Sequence, residues 1–240
     1  MTEFLLLGFS EVRELQVLHS VVFLGIYLAA LVGNLLVIIL VVVDHHLHTP
    51  MYFFLMNLSI LDLGSISVTV PKSMANSLLN TRSISYAGCV AQVFLFIFFI
   101  VVDFAFLTIM AYDRYIAICQ PLHYETIMNR GACVQMAASA WISGIPISTM
   151  QTGNIFALPF CGGNKVDQFF CDIPQLLKIT CNDAYLICTA TFAYMKPTSS
   201  SLSGLDVTVA VLYSVIPPVM NPAIYSMRNK EIKVSHPFIS

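Results

Sequence analysis

Charge is scarce in this sequence: Asp, Glu, Lys and Arg make up 10% of its 240 residues, where a soluble domain carries about 25%. That shortage excludes disorder, which needs high polarity. It also leaves more apolar surface than one core can hide. With 58% hydrophobic residues and a mean hydropathy of +0.81, the excess must face lipid. A basic field is missing as well. Net charge is −2, the pI is near 6.3, and Lys and Arg are scattered singly, which excludes nucleic acid as a partner. The opening residues, Met1 to Glu3, lack the basic region and small-residue cleavage site of a removable signal peptide. The first apolar run is therefore expected to serve as an uncleaved anchor.

Apolar runs long enough to cross a bilayer are what the sequence does have. They predict an all-α membrane bundle in a single domain over 1–240, with spans at about 17–43, 51–70, 89–119, 131–150 and 205–227. Pro71 is taken to end the second span, and the fourth holds the only tryptophan, Trp141. Residues 151–184 form a polar stretch of 34 residues, long enough to be a structured loop. The 11 residues 185–195 would rise only about 16 Å as a helix, against a hydrocarbon core of about 30 Å. They are a stub that cannot cross. Five crossings put the two termini on opposite sides.

Basic residues barely orient the bundle, since five lie at one set of span ends and six at the other. Cysteines orient it better. Cys89, Cys161, Cys171 and Cys181 share the side of the 34-residue loop, while Cys119 and Cys133 lie at the opposite ends of their spans. Disulfides persist in oxidising compartments, so the loop side and the N-terminus are expected outside the cell, in the plasma membrane. Four cysteines allow three pairings. Joining Cys89 to Cys171 would tie the loop across the bundle, and Cys161 to Cys181 would then close the loop on itself for about 3 kcal/mol. Free thiols are the alternative, and Cys188 is left over.

Two acids lie inside spans. Asp62 is 11 residues past Met51 and Asp103 is 11 residues before Arg114, which places both about 16 Å into the membrane. A carboxylate at that depth must be neutralised by a cation, a proton or a partner. A sodium site or a proton-linked switch fits; two protonated acids bonded to backbone is the plain structural alternative. An intramembrane aspartyl protease would use a similar pair, yet neither aspartate carries an accompanying motif, so no catalytic residue is assigned. Asp113-Arg114-Tyr115 meets the cytoplasm at the end of the third span, where Arg114 can snorkel to headgroups or pair with Asp113. The histidines at 45, 46 and 48 lack a fourth ligand, so no metal is assigned. Asn57-Leu58-Ser59 matches a glycosylation sequon but lies within a span.

Taken in order, these signals resemble the odorant receptors, a branch of the rhodopsin-like G-protein-coupled receptors. The resemblance rests on Gly33-Asn34, on Leu47 to Leu55 with Pro50, Met51 and Tyr52, and on Leu58 to Asp62. It continues through Met110 to Cys119, Pro121 to Tyr124, the cysteine-rich loop, and Asn221 to Asn229 with Pro222 and Tyr225. It implies a receptor for small hydrophobic odorants that activates a stimulatory G protein. It implies that Asp62 and Asp103, with Asn221 nearby, hold a sodium ion, and that Asp113, Arg114 and Tyr115 face the G protein. It pairs Cys89 with Cys171, and it places Phe96, Ile97, Ile100 and Val101 along an odorant pocket, although ordinary helix packing explains those four equally well.

The departures matter as much. Ala184-Tyr185-Leu186 resembles the start of the family's fifth span, while Ile187 to Pro197 resembles the outer end of the sixth. The fifth span, the third intracellular loop with its Lys-Ala-Phe-Ser-Thr-Cys stretch and most of the sixth span are missing between them. The N-terminus has no sequon, and Ser235 to Ser240 resembles no usual receptor ending. The expectation is a truncated receptor, from a shortened reading of the gene or a degraded copy, that cannot signal because the helix that swings on activation is gone. A non-signalling membrane protein that pairs with intact receptors is the alternative.

Overall fold

The computed structural model describes residues 2–6, 13–78, 83–161, 163–166 and 170–180. The expected fifth span, the stub, Cys181, Asn221, Pro222 and Tyr225 lie outside them. In chain order the elements are β1 (Glu3–Leu6), α1 (Arg13–Val43), α2 (Pro50–Leu78), β2 (Ser83–Ser85), α3 (Tyr86–Cys119), α4 (Tyr124–Ile127), α5 (Arg130–Phe156), β3 (Lys165–Val166) and α6 (Ile173–Lys178). The described residues are largely helical, and among them three helices are long and apolar enough to cross a membrane: Arg13–Val43, Pro50–Asn76 and Tyr86–Cys119.

Two helices run past the span ends expected from the sequence. α2 does not stop at Pro71 but carries that proline within it to Leu78. Proline removes one helical hydrogen bond, a loss that ends helices in water but is re-satisfied by neighbouring groups in a membrane bundle. α5 begins where Asn129 caps it, the amide of Ala132 donating to Asn129 Oδ1 at 2.9 Å. It runs to Phe156 through Pro146, so the first residues assigned to the 34-residue loop are helical. Its 27 residues are long enough to span, but it is not among the three apolar helices, because Ser139, Ser143, Ser148, Thr149, Gln151 and Thr152 dilute its hydropathy.

The described elements fall into two compact units. The first is drawn from the chain up to Gly25, from Ser67–Phe98 and from Pro146 onward. It contains an element that the sequence pattern gave no sign of, a three-stranded sheet ordered β2-β1-β3. β1 pairs antiparallel with β2, Phe4 opposite Ile84, and parallel with β3, Leu5 opposite Lys165. Phe4 is fully buried, stacked on Tyr86 with ring centroids 6.0 Å apart and edge-on to Phe160 at 5.6 Å. That burial, about 1.5–3 kcal/mol for such a side chain, anchors a strand too short to hold by backbone bonds alone.

The second unit comprises Ile26–Ile66 and Phe99–Ile145 among the described residues. Phe54 and Phe106 are fully buried with centroids 6.3 Å apart, and Phe106 meets the Trp141 indole at 6.3 Å. The indole N–H of Trp141 donates to Asn57 Oδ1 at 3.0 Å, and the Asn57 amide donates to the Phe53 carbonyl. The sequon asparagine is thus a packing residue that holds α5 to α2. A Cβ on Gly64 would fall inside the ring of Phe99, so glycine is what lets α2 and α3 approach there. Tyr52, Leu47, Val41 and Leu55 form a further buried cluster where α1 turns into α2.

Candidate functional site

The Asp113-Arg114-Tyr115 triplet lies near the C-terminal end of α3, in the second unit. Its three members are placed differently. Asp113 is buried at 3% exposure, whereas Arg114 and Tyr115 are exposed. The hydroxyl of Tyr124, on the short helix α4, donates to Asp113 Oδ1 at 2.8 Å. Burial, the hydrogen bond to Asp113 and the negative charge of that carboxylate, opposed by Arg114, push the Tyr124 phenol above its ordinary range. Tyr124 therefore stays protonated and remains a donor throughout the physiological range. Asp113 is thus tied by a side-chain hydrogen bond to the loop that follows α3, while Arg114 beside it is exposed. Pro121 to Tyr124 stood in the sequence as a motif, but its pairing with a residue 11 positions earlier is a tertiary fact.

Asp62 is buried at 4% exposure in α2, and the Ser65 hydroxyl donates to its backbone carbonyl at 3.1 Å. Asp103 lies on α3 in the same unit, partly buried. Its Oδ1 is buried and has no hydrogen-bond partner among the described residues. Of the motif residues, Asn34 is fully buried, its amide donating to the Ala30 carbonyl at 3.0 Å. Pro50 and Met51 open α2, proline sitting where its missing N–H costs nothing. The histidine segment is a turn, His45–Leu47, capped by Asp44, whose carboxylate accepts from the His46 amide at 2.9 Å.

In the first unit, Cys89 at the start of α3 is disulfide-bonded to Cys171. Cys161 is also disulfide-bonded. One turn beyond Cys89, Gln92 is buried at 5% exposure. Its amide donates to the Val68 carbonyl at 3.1 Å, and its Oε1 accepts from the Cys171 amide at 2.9 Å. One side chain thus ties α3 to α2 and to the loop cysteine. Sequence reasoning passed it over, although a lone glutamine in an apolar helix three residues from a paired cysteine is a readable signal. Phe170, fully buried beside Cys171, packs on Phe96 with centroids 5.5 Å apart. Of the four residues placed along a pocket, Phe96 and Ile97 are buried at 7% exposure, and Ile100 is exposed at 37%; Val101 is intermediate.

Residues 33–202 match the family described as 7 transmembrane receptor (rhodopsin family). Human olfactory receptor 14A16 is 45% identical over 290 aligned positions, covering 98% of this chain and 94% of the relative. Human olfactory receptors 14C36 and 14I1 are 42% and 43% identical, covering 97% and 98% of this chain and 93% and 94% of theirs. The chain belongs to the olfactory receptors. It is a multi-pass membrane protein of a receptor family and not an enzyme. An alignment of 290 positions to a chain of 240 residues also means that at least 50 positions hold a residue in olfactory receptor 14A16 and none here. Those positions are internal to the match.

Proposed function

We propose that this chain is an odorant receptor by descent, oriented with its N-terminus outside the cell, that has lost the fifth and most of the sixth transmembrane span. Its ancestral activity is to bind small hydrophobic odorants and to activate a stimulatory G protein. The observation that carries this reading is the total of at least 50 internal positions that olfactory receptor 14A16 has and this chain lacks, together with family motifs that stand in order on both sides of Leu186-Ile187. Fifty residues hold two spans of about 20 residues with a short loop.

In this reading Phe96, Ile97, Ile100 and Val101 descend from an odorant-binding stretch, and Arg114 and Tyr115 from the surface that meets the G protein, with Asp113 fixing their place. A cation such as sodium, when bound, would be held by Asp62 and Asp103, with Asn221 nearby; the partnerless Oδ1 of Asp103 suits a cation or a proton. A second disulfide joins Cys161 to Cys181. Because activation depends on two helix arrangements biased by ligand, a chain without the mobile helix has no equilibrium to shift. Expressed as written, it gives no odorant-dependent cAMP response. A reproducible dose-response curve above mock-transfected cells overturns this.

A further inference from the structure

The sheet of the first unit joins the segments that carry the loop-side cysteines. β1 is its centre strand, bonded to β2 on one side and to β3 on the other. β2 runs into α3, where Cys89 lies four residues past Ser85. Around β3, Cys161 lies four residues before Lys165 and Cys171 five residues after Val166. Phe4 reaches both sides: its ring stacks on Tyr86, three residues before Cys89, and stands edge-on to Phe160, next to Cys161. Backbone bonds repeat the clamp. The Tyr86 amide donates to the Thr2 carbonyl at 3.0 Å, and the Leu5 amide to the Asn164 carbonyl at 2.8 Å.

Chain length alone does not select the pair that forms. Cys89 and Cys171 are 82 residues apart, and Cys161 is ten residues nearer to Cys89 along the chain. Loop-closure entropy follows the logarithm of loop length, so it favours the wrong partner slightly. With β1 docked, the free chain between Cys89 and Cys171 shortens from 82 residues to about nine, and the same law raises their encounter frequency about thirtyfold. Cys161 is brought as near in sequence terms but is held elsewhere. Its amide donates to the Ile179 carbonyl at 3.0 Å, and Phe160 bridges to Thr180.

We propose that β1 is an internal template for disulfide formation, which presents Cys171 to Cys89 and keeps Cys161 away from it. In the step it assists, the Cys89 thiolate attacks a small disulfide such as oxidised glutathione and releases one glutathione thiol. The Cys171 thiolate then attacks the Cys89 sulfur of the mixed disulfide and releases the second. One S–S bond breaks and one forms; two protein thiols are oxidised, two glutathione sulfurs are reduced and take up the protons. β1 contributes no group to this exchange and acts by position alone, with Phe4 as the positioning residue. The proposal stands apart from signalling, from the lost spans and from the identity of the sulfur that Cys161 joins.

The test reduces the full chain in detergent, reoxidises it with oxidised glutathione, and follows the Cys89–Cys171 and Cys89–Cys161 pairs by timed acid quench, alkylation and non-reducing peptide mapping. The unaltered chain should form Cys89–Cys171 as the dominant pair of Cys89. Phe4→Glu places an unpaired charge in a fully buried site and so undocks β1. Formation of Cys89–Cys171 should then slow about thirtyfold, and Cys89–Cys161 should form about as often. Leu5→Pro, which removes the amide bonded to Asn164, should have the same effect, and it decides the matter where Phe4→Glu yields no soluble chain. Gly64→Ala, which strains the second unit against Phe99, should leave both the rate and the choice of partner unchanged; it separates templating from a general loss of stability. Unaltered rate and pairing in Phe4→Glu or Leu5→Pro, or equal mispairing in Gly64→Ala, overturns the proposal.

Discussion

Removing one hydroxyl, by Tyr124→Phe, tests how Asp113 is held. The 2.8 Å bond from Tyr124 to Asp113 ends on a carboxylate that is 3% exposed, and hydrogen bonds to charged groups contribute about 1.5–3 kcal/mol. Tyr124 is itself only partly buried, so solvent screening favours the low end, about 1.5 kcal/mol. That corresponds to about a tenfold larger population of the opened loop. A reporter lies next door. Cys133 is a free, buried thiol at 4% exposure, bonded to the Met128 carbonyl at the end of α4, and opening α4 uncovers it. Peptide-resolved mass spectrometry after timed alkylation in detergent should find Cys133 modified about tenfold faster in Tyr124→Phe, with exposed Cys119 unchanged. Because the Tyr124 phenol is raised, the wild-type rate, corrected for thiolate fraction, should hold steady from about pH 6 to 9, below where even an unperturbed phenol ionises. Equal rates in the two proteins, or the same acceleration from the exposed-loop change Glu125→Gln, would refute the reasoning.

Three further outcomes follow from the packing. Gly64→Ala drives a methyl into the Phe99 ring and should cost about 1–3 kcal/mol, seen as a lower melting temperature in detergent, while Gly25→Ala, which meets open space, leaves it unchanged. Gln92→Leu leaves the Cys171 amide and the Val68 carbonyl without their partner. It should cost about 1–3 kcal/mol for each buried group, and the fraction of chain with Cys89 and Cys171 joined should fall on non-reducing peptide mapping. Phe4→Ala empties a fully buried site at up to about 3–5 kcal/mol; hydrogen exchange should quicken at Ser83–Ser85 and Lys165–Val166, with no change at Asp113.

How much of this was legible depended on the range of the interaction. The first three spans could be read because long apolar runs carry their own signal, and the family could be read because strings such as Met110 to Cys119 are local. Helix ends were less legible: Pro71 costs α2 a backbone hydrogen bond, which reads locally as a stop, and α2 nevertheless runs through it to Leu78. β1 was invisible because Glu3 to Leu6 is too short to show a period, and its partners Ile84 and Lys165 lie on distant segments. Asn57 looked like a sequon and Tyr124 like part of a string. What each does, holding Trp141 and anchoring Asp113, depends on residues 84 and 11 positions away. The sheet and the Gln92 bridge had to be seen in three dimensions, because each joins segments far apart in the chain.

The measurement that bears most directly on the account compares two chains at matched surface levels on one odorant panel. One is the chain as written; the other carries, between Leu186 and Ile187, the segment of human olfactory receptor 14A16 that faces the gap. The account predicts an odorant-dependent cAMP rise from the repaired chain and none from the original. A dose-dependent response from the original chain would contradict it.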